Sequence, residues 1–227
     1  MTSSSSSSEN TRKLRLGLFV QPLGHHVSGW RLTENLGSPT DIDWLTWIAR
    51  KAEEGKFDMF FIGDALATSV YRLPSTMARL EPLTLLSALA VQTRHIGLAA
   101  TASTTFSDPF NLARSFSSLD HISHGRAAWN VVTSFSTDVA RNFSRDDMPA
   151  HAERYAVAHE FLEVTFKLWE GWQEGAVQPD NASGQYFVNE KNQSGEPSGQ
   201  VFSGTGAAEY YPFAAGASGN YRSGFFR

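Results

Sequence analysis

Five places in this sequence combine side chains that bind ligands or move protons with a backbone pattern that would present them. His25 and His26 follow directly on an apolar segment. Adjacent imidazoles suit hydrogen bonding, proton transfer or metal binding, but one loop pair with no convincing third ligand argues poorly for zinc. Asp64 ends a second apolar run and offers a carboxylate. Ser103 and Thr104 end a third and offer hydroxyls. Asn130 and Ser134 belong to the end of a fourth, and an amide inside an apolar strand must be hydrogen-bonded to something. His151 and Tyr155, four positions apart, share one face at the start of a helix. That end carries free N–H groups and partial positive charge, which favour an anion or an electron-rich ring. Each place also has a plainer use: Asp, Ser and Thr form turns after strands, and paired histidines solvate loops.

Much other chemistry is excluded. With no cysteine there is no disulfide, thiolate metal site or thiol nucleophile, which fits a reducing compartment; a cytoplasmic location is the expectation. A net charge of −4 without a Lys/Arg cluster argues against nucleic acid as a partner. The longest apolar runs are too short to span a bilayer. Neither a G-x-S-x-G elbow nor a G-x-x-x-x-G-K phosphate loop occurs. Three Asn-x-Ser sequons, at Asn142, Asn181 and Asn192, are expected to carry nothing in the absence of a signal peptide.

The elements that must position these residues follow a repeated pattern. Residues 1–13, a serine run ending in Arg12 and Lys13, read as a disordered tail. Leu14, Leu16, Leu18 and Val20 then alternate as a buried strand. After a polar loop, Thr40 and Asp43 suggest a capping box for a helix carrying Ile42, Leu45, Ile48, Ala49 and Ala52, stopped near Gly55. Phe57 to Ile62 forms a second strand, and Pro82 starts a second helix. Ile96 to Ala102 forms a third strand, and Asp108-Pro109 caps a third helix. Ala127 to Val132 forms a fourth strand, and Tyr155, Ala158, Leu162, Phe166 and Trp169 mark a fourth helix. The Phe and Trp residues of these helices read as core. Four strand–helix cycles imply an α/β fold with a parallel sheet whose strands are buried on both faces. The first strand-to-helix loop lacks a dinucleotide-binding glycine pattern, which favours a (β/α)8 TIM-barrel type over an open sheet. A whole barrel needs about 250 residues, so only the first four β/α units are present. Residues 176–227, rich in Gly, Ser, Asn and Gln, read as an irregular tail in which only Tyr210 to Ala215 could pass for a strand.

Several long segments carry a family resemblance. LRLGLFVQPLGHHVSGWR, KFDMFFIGD, EPLTLLSALAVQTRHIGLAATASTTFSDPFNLAR, SLDHISHGRAAWNVVTS and HAERYAVAHEFLEVTFKLWEGW together cover about residues 14–175. They resemble the bacterial-luciferase-like flavin-dependent monooxygenases, in the branch of nitrilotriacetate monooxygenase component A, dibenzothiophene-sulfone monooxygenase and long-chain alkane monooxygenase. The resemblance implies an FMNH2-dependent monooxygenase whose reduced FMN comes from a separate NAD(P)H:FMN reductase. It also implies a flavin C4a-peroxide that oxidises a small organic substrate with O2. By motif, Asp64, Thr104, His151 and Tyr155 correspond to flavin-contacting positions, with Asn130 and Ser134 lining the same mouth. His26 corresponds to a position near the reacting face, with His25 a poorer candidate. No metal site is implied, and the full-length parent is expected to be a homo-oligomer.

Two departures accompany the match. Leu32-Thr33 stands where the family usually has His-Pro, and residues 182–227 do not match the family's fifth strand or anything beyond it. The resemblance therefore implies the N-terminal half of such an enzyme, by truncation, frameshift or mis-splicing. Two other functions stay open at this point. One is an inactive half-barrel serving as a binding module, and the other is a deazaflavin-dependent relative.

Overall fold

Side chains of the second and third strands alternate between two apolar faces, so helices must cover one of them; the sheet is built accordingly. The computed structural model describes residues 14–32, 38–68, 74–173, 175–191 and 201–202. Four strands, β1 (Gly17–Phe19), β2 (Met59–Ile62), β3 (Gly97–Ser103) and β4 (Ala127–Val132), form one sheet in the order β1-β2-β3-β4. All three pairings are parallel, with Phe19 beside Phe61, Ile62 beside Ala100, and Thr101 beside Asn130. The carboxyl ends of the strands therefore share one rim, as the repeated pattern requires. Among the described residues the sheet is open: β1 pairs with β2 alone and β4 with β3 alone.

The helices are α1 (Ile42–Glu54), α2 (Pro82–Ala90), α3 (Pro109–Ser123), a short α4 (Thr137–Asn142) and α5 (His151–Glu170), which is the expected fourth helix. The main core lies between the sheet and the helices. Phe60, Leu98 and Ala100 of the strands meet Leu45, Leu86, Leu89, Phe116 and Phe161, all essentially inaccessible. Burying one such side chain stabilises the fold by about 1.5–3 kcal/mol. Part of the aromatic set builds core, since Trp129 lies 5.4 Å from Phe116, 5.9 Å from Phe161 and 6.3 Å from Trp169 between ring centroids, whereas Trp47 of α1 and Phe166 of α5 are exposed. The indole N–H groups of Trp129 and Trp169 are satisfied by the carbonyls of Ala102 and Ala113.

Local signals set the helix starts, with one difference from expectation. Asp41, rather than a Thr40–Asp43 box, caps α1 by accepting from the N–H groups of Asp43 and Trp44 at 3.0 and 3.2 Å. Thr40 is engaged elsewhere, its hydroxyl 3.0 Å from that of Ser38. Glu81 caps α2 ahead of Pro82, and Asp108 caps α3 ahead of Pro109 by accepting from Asn111 N. Gly55 does end α1, but at φ −72°; the left-handed turn falls on Lys56 at φ 61°.

The first strand is shorter and more exposed than its alternation suggests. Leu14, Leu16 and Phe19 are exposed, because among the described residues nothing pairs with the outer edge of β1. Within 176–227, the segment expected to be irregular, an antiparallel hairpin joins β5 (Val177–Asp180) and β6 (Gln185–Phe187). Its turn has a side-chain cause: the Asp180 carboxylate accepts from Ala182 N and the Ser183 hydroxyl, and Gly184 takes φ 73°. Further on, Glu160 of α5 accepts from the N–H groups of Val201 and Phe202, and Phe202 packs against the core. The expectations for residues 1–13 and for Tyr210 to Ala215 fall outside the described residues.

Candidate active site

Strand ends gather the polar residues because the parallel register brings them to the same rim. At β1, the His25 ring packs edge-on against Phe19, centroids 5.2 Å apart, with Nε2 3.3 Å from the Phe19 carbonyl oxygen. Phe19 in turn stacks on Phe61 at 4.8 Å. A Cβ added to Gly63 would lie 2.8 Å from the Phe19 ring, so glycine is what admits the ring at this strand end. His26 is exposed and its Nδ1 accepts from Ser28 N at 3.1 Å. A neutral His26 ring so engaged carries its proton on Nε2.

At β2, Asp64 Oδ1 accepts from its neighbour Ala65 N at 2.8 Å and pairs with Arg79 Nε at 2.9 Å. Arg79 also donates through Nη2 to Ala65 O at 2.7 Å. Both side chains are largely buried, at 16% and 19% exposure. Burial raises the Asp64 carboxyl above its ordinary value; Arg79 and the Ala65 N–H oppose that rise, and Glu81 adds to it. Sequence spacing gives no hint of Arg79, because it comes from a loop.

Strands β3 and β4 bring their candidates into direct contact. Ser134 donates to Ser103 Oγ at 2.9 Å, and Asn130 Nδ2 donates to Thr101 Oγ1 at 2.9 Å, which satisfies the strand amide. Thr104 is buried, with its N–H and hydroxyl both directed at Val132 O, at 2.9 and 3.4 Å. The Thr105 hydroxyl donates to Thr133 O at 2.5 Å, and its N–H donates to Ser103 Oγ at 3.3 Å. Ser134 sits at φ 51°, a left-handed conformation uncommon outside glycine.

On α5, His151 and Tyr155 are exposed and their rings lie 4.6 Å apart, as the four-residue spacing predicts. Between them, Arg154 donates through Nη1 to Ser134 O, and its buried Nε has no hydrogen-bond partner among the described residues. Arg154 was legible three residues after His151 on the same helical face, but its type alone did not mark it. Asn142 at the end of α4 donates to Leu66 O at 2.9 Å, so the loop after β4 is tied to the loop after β2. That bond also occupies the side chain of the first sequon. His26 and Asp64 are bonded within their own loops rather than to the hydroxyls of β3 and β4.

A parallel strand–helix sheet with polar residues gathered at its carboxyl rim defines an α/β protein whose ligand-binding face is that rim. The family model described as luciferase-like monooxygenase matches residues 10–219, and the chain belongs to that family. It is 44% identical over 196 residues to N-acetyl-S-(2-succino)cysteine monooxygenase of Bacillus subtilis (strain 168), covering 85% of this chain and 44% of that protein. The crystal structure of a long-chain alkane monooxygenase superposes with TM-score 0.79 at 36% identity, over 89% of this chain and 50% of the other. A riboflavin lyase solved with modified FMN and its substrate riboflavin gives TM-score 0.79 at 30% identity, over 89% and 48%. The chain thus spans about half the length of the relatives it matches. Among the described residues no helix is long and apolar enough to cross a membrane, and no group of three His, Asp or Glu is placed to hold a metal.

Proposed function

We propose that this chain supplies the strand-one to strand-four side of the active site of an FMNH2-dependent monooxygenase acting on a small organic substrate. The observation that carries this reading is the concentration of Asp64, Thr104, Asn130, Ser134, His151 and Tyr155 at one sheet rim or the start of α5 in a member of this family. The chemistry of the residues fits a flavin mononucleotide. Asp64 Oδ2 has no partner among the described residues and would accept from a ligand N–H or O–H. The hydroxyls of Ser103 and Ser134 suit ribityl or phosphate oxygens, and the first turn of α5, with His151 and Tyr155, suits an anion.

The flavin, once bound in its reduced form, supplies the reaction with O2; the protein's contribution is position, dryness and electrostatics. Asp64 would orient the ligand, and buried Thr104 would keep the ends of β3 and β4 in register. His26 would offer Nε2–H as a hydrogen-bond donor or proton relay near the reacting face. A separate NAD(P)H:FMN reductase would deliver the flavin by diffusion, in the cytoplasm, to a homo-oligomeric parent protein. The relatives are about twice as long as the matched part, so groups from their later strands would not be supplied by this chain and the 227 residues should bind FMN weakly. A weak site is best tested by following amide shifts of the labelled chain with FMN at millimolar concentration. Shifts confined to the ends of β1 to β4 and the start of α5 are expected. Shifts scattered elsewhere, or none, would overturn the assignment.

A further inference from the structure

Arg79 and Asp64 lie fifteen positions apart at the two ends of the β2–α2 connection, yet they meet in a largely buried ion pair at the end of β2. The geometry is one-sided. Ala65 N and Arg79 Nε both engage Oδ1, while Arg79 Nη2 holds the Ala65 carbonyl, so the guanidinium grips the carboxylate and the backbone beside it. Oδ2 is left without a partner among the described residues. A guanidinium fork fixes direction as well as charge, which an ammonium would not.

We propose that Arg79 is a positioning residue, clamping Asp64 through Oδ1 so that Oδ2 stays an ionised acceptor for a ligand N–H or O–H. The proposal rests on the reading above that Asp64 belongs to the flavin site. Among the described residues, two charged groups bear on the Asp64 carboxyl. Arg79 favours its ionised form, and Glu81, the cap of α2, disfavours it. Burial disfavours it as well, so without Arg79 the carboxyl would hold its proton to higher pH and offer a donor where the ligand needs an acceptor.

The test is a carboxyl carbon NMR titration of the full 227-residue chain, with the Asp64 signal assigned through Asp64→Asn. The midpoint is expected to move to higher pH in Arg79→Gln, to lie between those two in Arg79→Lys, and to move to lower pH in Glu81→Gln. A general loosening of the loop would not move the last two in opposite directions. An Arg79→Gln midpoint equal to the wild type overturns the proposal. If that variant does not fold, Arg79→Lys decides alone, and a wild-type midpoint there overturns it equally. In parallel, FMN affinity measured against pH should lose its acid limb at higher pH in the Arg79 variants, and an unshifted limb overturns the ligand half of the proposal. A wild-type chain that binds no FMN speaks against the proposed function instead, since the carboxyl titration needs no flavin to judge Arg79.

Discussion

Arg154, in the first turn of α5, donates through its guanidinium to the carbonyl oxygen of Ser134, twenty residues earlier at the end of β4. The bond joins the two parts of the candidate site that sequence places furthest apart in kind, a strand end and a helix start. It also explains how Ser134 is kept at φ 51°, from which its hydroxyl meets Ser103. Arg154→Ala is therefore expected to lower stability by about 1.5–3 kcal/mol, the typical net worth of a hydrogen bond to a charged group. Faster amide exchange confined to residues 133–136 would show that the turn has been released. Unchanged exchange there would refute the link.

Glu53 holds the start of β3 against the end of α1. Its Oε1 accepts from Arg94, His95 and Ile96 N–H at 2.9, 2.6 and 3.0 Å. Burial alone would raise this carboxyl, but the His95, Ile96 and Arg94 N–H groups together outweigh it and hold the carboxyl below its ordinary value of 4.5. A depressed carboxyl contributes stability that is present above the unfolded value and is lost as pH falls through the folded one. Wild-type urea midpoints should thus fall more steeply below about pH 4 than those of Glu53→Gln. Parallel pH profiles would contradict this.

Gly63 is predicted to accept a side chain only if the Phe19 ring shifts from its place against Phe61. Gly63→Ala would place a methyl 2.8 Å from that ring and should cost about 1–3 kcal/mol. Phe19→Leu added to Gly63→Ala should recover part of the loss, and a double-mutant cycle with no coupling would show that the contact is unimportant.

Arg126 is buried at the opposite end of β4, where it donates to the carbonyls of Ala90, Thr93, Ile96 and Ser123 and to the Thr93 hydroxyl. It thereby ties the end of α2 and the end of α3 to the starts of β3 and β4. Arg126→Met removes every one of these donors, and each buried carbonyl left unsatisfied costs about 1–3 kcal/mol, so a large loss of stability is expected. Chemical denaturation checks it, and a loss under about 1 kcal/mol would show that water replaces the donors.

Local apolar patterning was enough to set the element order and the sheet direction. Apolar runs such as Phe57–Ile62 and Ile96–Ala102, separated by helical spacings, leave a parallel sheet as the economical solution, and its rim follows from that. Asp108-Pro109 and Glu81-Pro82 start helices by local hydrogen bonding, so their effect needs no distant partner. The His151–Tyr155 pair was legible for the same reason, since helical spacing alone brings the rings together. Tertiary structure decided everything that depends on residues far apart in the chain. Asp64 could be picked out, but not Arg79, because a loop carries no periodicity that points at its partner. Ser103 and Ser134 could be placed on one rim, but their bond depends on the β3–β4 register and on Arg154 holding the turn. The alternation of Leu14, Leu16 and Leu18 promised a buried strand. Whether a strand is buried depends on what lies on its far side, and among the described residues nothing covers the outer edge of β1.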